Sequence, residues 1–411
     1  MSVSPALATT HLLVDDAQRV FDDDTLSISA RLRRRSADGS PARSFVGDAQ
    51  RLVVRVHGVG DLGRQAARAL GGADPDDVTA LLPVVGLLAS CLGTDVDIDA
   101  AACPVTVGGV AAATAQYSAW WGWHPVVVGA RRDAAPQPVS GGHGLFFTRG
   151  LDSSAVLLAA TAMGDAPTHL VGLDWVDAPY DIADHAEVWR ATAAAAAERR
   201  LPLVRVSTNA RTFTDPVVSW DFSHAPVLAA AALALGGVVD RVGISSTHPA
   251  GHPAPFASHP DLDPLWSSAT VAVEHRLDVP GGRTARAAVV AGDRWVARWL
   301  AVCWEQSAEG NCGRCRKCLA TMCSLWLVGA DDVIANRFAG DLSPQAIEAL
   351  ATPEPVGGRG ITAAVARDLA AVADGDGLDG LSVRTSRRQR RRAQALAEAW
   401  GVVLTGTATR G

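Results

Sequence analysis

The chain has 411 residues, enough for about two to three domains, with 19% charged residues and a formal net charge of −6. That balance argues against a globally basic nucleic-acid binder and against an acidic disordered chain. Of its 37 basic residues only Lys317 is a lysine, so a Walker-type loop ending in Gly-Lys-Ser/Thr is absent and Schiff-base chemistry has one candidate.

The opening segment, 1–18, lacks a basic stretch followed by an apolar one, and no apolar run reaches the roughly 18 residues of a membrane span. Cytoplasmic localisation and no membrane partner are the expectations. The first 50 residues alternate polar and apolar around LSISARLRRR (26–35), and with LVVRV (52–56) they read as short strands. The G-x-G-x-x-G at Gly58, Gly60 and Gly63 follows a strand, but no second strand ending in an acid comes after it, so it reads as a glycine turn. From 62 to 119 the pattern is helical, with VTALLPVVGLLASCLG (78–93) as a buried helix and punctuation at 71–77 and in the Asp-rich stretch 95–104. PVVVGARR (125–132) reads as a strand, and the Pro/Gly/Ser run at 133–144 as a linker.

Beyond it, short apolar runs at 144–147, 169–174, 203–209 and 241–246 alternate with helical stretches near 151–163, 184–200 and 225–237. Such alternation predicts an α/β fold with a parallel sheet covered by helices on both faces. Thr148, Asp174, Asn209 and Ser245 then stand at carboxyl ends of strands, where such sheets bind ligands. The expected organisation is a mixed α+β segment over 1–135, an α/β domain over 136–330, and a helical region over 331–411 whose run Arg387–Arg392 is a solvated helix face.

In FFTRGLDSS (146–154) a strand runs into a hydroxyl- and Gly-containing turn before a helix, which offers backbone N–H groups and a helix N-terminus to a phosphate chain. An ordinary capped helix is the plainer reading. The segment resembles the S-G-G-x-D-S loop of the PP-loop, or N-type, ATP pyrophosphatases, with Thr148 in place of Ser and Arg149 in place of the first Gly. The resemblance implies a PP-loop fold, ATP with Mg²⁺ at Asp152, and ATP contacts from Thr148, Gly150, Ser153, Ser154, Asp174, Asn209 and Ser245. Arg149 and Arg211 are then the candidate cations on the pyrophosphate, with Asp152 the third catalytic candidate.

Cys303, Cys312, Cys315 and Cys318 form C-x8-C-x2-C-x2-C, a spacing that closes four thiolates around structural Zn²⁺, with Gly310 and Gly313 easing the turns. An iron–sulfur cluster and redox-active thiols are the alternatives. The loop and the knuckle together resemble the 7-cyano-7-deazaguanine synthase branch of that superfamily, over about residues 144–328. What this implies is adenylation of a small-molecule or peptide carboxylate, or of a carbonyl oxygen, followed by attack of ammonia or an amine. A homodimer is an assembly that this reading allows. His259, Asp261, Asp263 and Trp266, crowded in ASHPDLDPLWSS, are candidate substrate residues, with a rigid surface loop as the plainer reading. Core packing is the default for Trp175 and Trp220, and structure rather than metal binding for His248 and His252. Sulfur insertion through a persulfide, and a nucleotide-binding scaffold without turnover, are the competing functions.

Overall fold

The computed structural model describes residues 10–22, 24–36, 51–57, 74–134, 141–174, 185–250, 254–303, 310–343, 365, 368–369, 372 and 386–399. Gly58, Gly60, Gly63, Trp175 and His252 lie outside the described residues, as does most of 331–411 beyond 343.

Ten strands form one sheet: β1 Thr10–Asp22, β2 Thr25–Ser36, β3 Arg51–His57, β4 Asp95–Ala102, β5 Val128–Asp133, β6 His143–Phe146, β7 His169–Asp174, β8 Leu203–Thr208, β9 Arg241–Ser245 and β10 Ala272–Arg276. Their order is β10-β9-β6-β7-β8-β3-β2-β1-β4-β5. Six of the nine pairings are parallel; the antiparallel ones are β1–β2, β2–β3 and β3–β8. The chain is therefore a mixed α/β protein whose sheet is mostly parallel.

Two of these strands depart from the sequence reading. The stretch 95–104, expected as punctuation, carries β4: Asp95, Asp97 and Asp99 alternate with the buried Val96, Ile98 and Ala100. Aspartate is depleted in strands, and here it occupies only the less buried face, so a turn-like composition hides a period-two pattern. Strand β10, AVEHR, was not anticipated; it is short and flanks β9 at the sheet edge.

Helices cover both faces. Along β6 and β7, Phe146 and Val171 enter one apolar layer with α1 (Leu82–Leu92), α2 (Pro104–Trp121) and α6 (Trp220–Leu233). Leu145 and Leu170, one residue earlier, enter the opposite layer. There they meet α3 (Leu151–Ala162), α4 (His185–Glu198), α7 (Arg283–Val290), α8 (Arg294–Trp299), α9 (Arg316–Val328) and α10 (Asp331–Arg337). Alternate strand residues point to opposite faces, which is why neighbours in sequence divide between the layers. α1 is buried from Leu82 through Ser90, as its all-round apolar sequence predicts. A short α5 (Ala210–Thr214) follows β8, and α11 (Arg387–Ala399) packs on α9 through Ala393 and Leu396.

The chain runs β6, β7, β8 outward in one direction, then returns to place β9 on the other side of β6. That reversal opens a crevice beyond the carboxyl ends of β6 and β9, where ligands bind in sheets of this kind. No described helix is long and apolar enough to cross a membrane.

Candidate functional site

The turn from β6 into α3 is built on an uncommon backbone. Arg149 adopts φ 59°, the left-handed conformation that a glycine ordinarily supplies, at a cost of about 1–2 kcal/mol for a residue with a Cβ. Arg149 thus holds the backbone in a conformation that a glycine would take without strain. Gly150 is extended, with Thr148 Oγ1 3.1 Å from where a Cβ would stand, so a larger residue crowds the turn. Asp152 lies in the first turn of α3, where the helix dipole favours negative charge.

This turn forms one wall of a cavity of about 260 Å³. Thr148, Gly150, Asp152 and Ser153 line it from the turn, Asp174 from the end of β7 and Ser245 from the end of β9. The buried Ser245 Oγ has no hydrogen-bond partner, a hydroxyl ready for a ligand. The opposite wall is apolar and aromatic, with Leu173, Leu228, Ile244, Trp189 and Trp220. Trp189 approaches so closely over β7 because position 172 is glycine: a Cβ there would stand 2.6 Å from its ring. Trp220 is thus a cavity residue as well as a packing one.

Three cations surround Asp152, and none of them is expected there from the sequence. Arg286, 1% exposed, donates from Nη1 to Asp152 Oδ1 at 2.8 Å and to the Thr247 carbonyl at 2.9 Å, and from Nη2 to the His248 carbonyl at 3.2 Å. Arg283 Nη1 is 3.9 Å from Asp152 Oδ2, while its Nη2 donates to Thr321 Oγ1 at 2.6 Å. Arg283 and Lys317 both line the cavity. Burial works against the Asp152 charge, but Arg286, Arg283 and Lys317 outweigh it and hold the carboxyl below its usual range. Burial also lowers the pKa of Arg283, whose Nε has no partner. R-T-A-R on an isolated helix reads as a solvated face; only the packing of α7 against α3 turns both arginines inward.

The guanidinium of Arg149 does not join this group. It lines a second, smaller cavity of about 60 Å³ on the other side of the turn, with Cys303, Asn311 and Arg337, and its Nε donates to Thr192 Oγ1 at 3.1 Å. Burial, together with Arg337, brings its pKa down to about 10.

The four clustered cysteines converge. Their Sγ atoms all lie within 4.8 Å of one another, with Cys303–Cys315 and Cys312–Cys318 at 3.9 Å. A tetrahedron with Zn–S bonds of about 2.3 Å has edges of about 3.8 Å, so the donor set fits a closed four-thiolate centre. Gly310 and Gly313 have φ of 118° and 70°, as the turns demand, and a Cβ on Gly313 would stand 2.7 Å from the Gly340 nitrogen. Asn311 braces the loop: Oδ1 accepts from Val302 N and Cys303 N, and Nδ2 donates to the Leu300 and Arg337 carbonyls. Cys91 and Cys323 lie apart, and burial pushes both thiols up to about 12.

The remaining candidates serve other contacts. Ser154 is buried in α3 and does not line the cavity. Asn209 stitches β8 to β3, its Nδ2 donating to the Arg51 carbonyl at 2.9 Å and its Oδ1 accepting from Val53 N at 2.8 Å. Arg211 pairs with Asp215 and stacks over Trp220, one ring behind the cavity wall. In ASHPDLDPLWSS the residue at the cavity is Ser258, whose Oγ donates to the fully buried Asp263 at 2.7 Å. Asp263 also takes His275 Nδ1 at 2.7 Å. Burial lowers the pKa of His259, which meets Trp120 edge to face and accepts from Asp261 N, while Asp261 is 73% exposed and Trp266 sits in the core. These four do not converge on one site.

No family model matches the sequence, and no curated protein or solved structure matches the chain.

Proposed function

We propose that this chain is an ATP-dependent adenylating enzyme of the PP-loop kind, with a structural zinc in its cysteine knuckle. The observation that carries the reading is the cavity at the switch between β6 and β9, which joins a tight turn and helix N-terminus to a cation cluster. A triphosphate would lie along that turn, with Arg283 and Lys317 countering its charge and the base against the aromatic wall. Asp152, held ionised by its neighbours, is the carboxylate through which Mg²⁺ on the phosphates would be held, adding to that neutralisation.

A carboxylate or carbonyl oxygen of the substrate attacks the α-phosphorus, the bond to the β-phosphate oxygen breaks and pyrophosphate leaves. An amine nitrogen then attacks the activated carbon, AMP leaves with its oxygen, and the nitrogen loses a proton. The residues act by position and charge rather than by forming bonds. Sulfur insertion needs a thiol at the cavity, and among the described residues no cysteine lines it.

ATP–pyrophosphate exchange, screened over small carboxylates, amino acids and peptides, tests the reading. Carboxylate-dependent exchange of pyrophosphate into ATP that Asp152→Ala lowers by two orders of magnitude or more supports it. A panel with no AMP or pyrophosphate, or activity indifferent to Asp152→Ala, overturns it.

A further inference from the structure

We infer that the cysteine knuckle builds the phosphate site: its metal holds Lys317 and Arg283 against the turn at 148–153, so metal occupancy and nucleotide affinity are coupled. This rests on the reading of the cavity as a nucleotide site and goes beyond a metal that merely stabilises the fold.

Three contacts connect the two places. Lys317 stands between Cys315 and Cys318, in the first turn of α9, and lines the cavity next to Asp152. Thr321, one turn further along α9, accepts from Lys317's own neighbour across the cavity: Arg283 Nη2 donates to its Oγ1 at 2.6 Å, while the same hydroxyl donates to the Lys317 carbonyl at 2.7 Å. The knuckle's other end is tied to the turn itself, since Ala301 N, two residues before Cys303, donates to the Arg149 carbonyl at 2.9 Å. The cysteines thus pin both chain ends that frame the phosphate wall. Metal–sulfur bonds would join Cys303 to Cys312, Cys315 and Cys318, whose Sγ atoms lie within 4.8 Å of one another. Loss of the metal therefore removes the link between the segment 301–303 and the first turn of α9, the turn that carries Lys317.

Linkage makes the coupling reciprocal: whatever factor the metal adds to nucleotide affinity, the nucleotide adds to metal affinity. The probe is α,β-methylene-ATP, with adenosine as the phosphate-free control, titrated calorimetrically into the full metal-loaded chain. Lys317→Met, checked to hold one metal per chain, is expected to weaken the analogue about tenfold or more, the effect of one charge-assisted contact, and to leave adenosine affinity unchanged. Lys317→Arg is expected to recover most of the loss. In a chelator competition with the wild type, saturating analogue is expected to tighten the metal by about tenfold or more, and adenosine not at all. An unchanged affinity in Lys317→Met, or a metal affinity indifferent to the analogue, overturns the coupling while leaving the nucleotide site standing. A metal-loaded wild type that binds no analogue overturns the site and the coupling together.

Discussion

The two ends of the sheet bury different chemistry. Around β1 to β5 the interior is mostly apolar: α1 hides nine consecutive residues from Leu82 to Ser90, the strands of the meander contribute leucine, isoleucine and valine, and the buried charge there, Asp15 and the Arg19–Asp77 pair, lines no cavity described above. Around β6 to β10 the buried set includes Arg149, Arg283 and Arg286, at 7%, 8% and 1% exposure. Apolar burial stabilises directly, whereas taking a guanidinium out of water costs several kcal/mol and is recovered only through close partners. The first end is organised by a gain in stability; the second keeps expensive groups where they surround a cavity, which is what a binding site for anions requires.

Arg286 is where this contrast breaks most severely. Arg286→Met leaves Asp152 Oδ1 and the Thr247 carbonyl without their donor and the His248 carbonyl with Ser246 Oγ alone, and is expected to cost about 3–5 kcal/mol in urea unfolding, since a largely buried carboxylate loses its closest partner. The pH dependence has a defined sign. The native pKa of Asp152 is depressed, so its contribution is fully present above the unfolded value, near 3.8, and is lost as pH falls through the native one. Without Arg286 that depression shrinks, so the gap between wild type and variant is expected to narrow in acid. A gap that widens below pH 4 contradicts this assignment of charge.

The seam between the two ends is the next test. β3 meets β8 antiparallel, and Asn209 extends the ladder with its side-chain amide, mimicking a peptide group toward Arg51 and Val53. Asn209→Ala leaves a carbonyl and an N–H unpaired at this junction, and a loss of about 1–3 kcal/mol is expected. Because the contact is structural, affinity for α,β-methylene-ATP is expected to stay within about threefold. A variant that is fully stable but binds the analogue ten times more weakly returns Asn209 to the site.

Much of the parallel end is legible in the sequence because its signals are local. The runs at 144–147, 169–174, 203–209 and 241–246 are continuous and apolar, and the elements observed, β6 to β9, fall on them. The turn at 148–153 and the cysteine spacing are likewise contiguous, and both appear as built features. The cation cluster is illegible for the opposite reason. Arg283 and Arg286 are more than 130 positions from Asp152, and nothing in R-T-A-R distinguishes a buried pair from a solvated one. Scarcity singles out Lys317 in the sequence, but only the course of α9 brings it to the cavity wall. A strand end points to a nucleotide contact for Asn209, and the same position makes it a partner for β3 instead.

Arg149 gives the finest test, because its backbone belongs to the turn while its side chain belongs to the cavity on the far side. Arg149→Gly removes the strain of φ 59° but also removes the bond to Thr192 and frees the unfolded chain. These effects oppose one another, and a net change in stability within about 1 kcal/mol is expected. Affinity for the analogue is expected to hold or improve slightly, since Arg283 and Lys317, not Arg149, face the cavity. A tenfold loss of affinity in Arg149→Gly at unchanged stability would mean that the guanidinium swings through the turn to reach the phosphates, and would move the second cavity into the site.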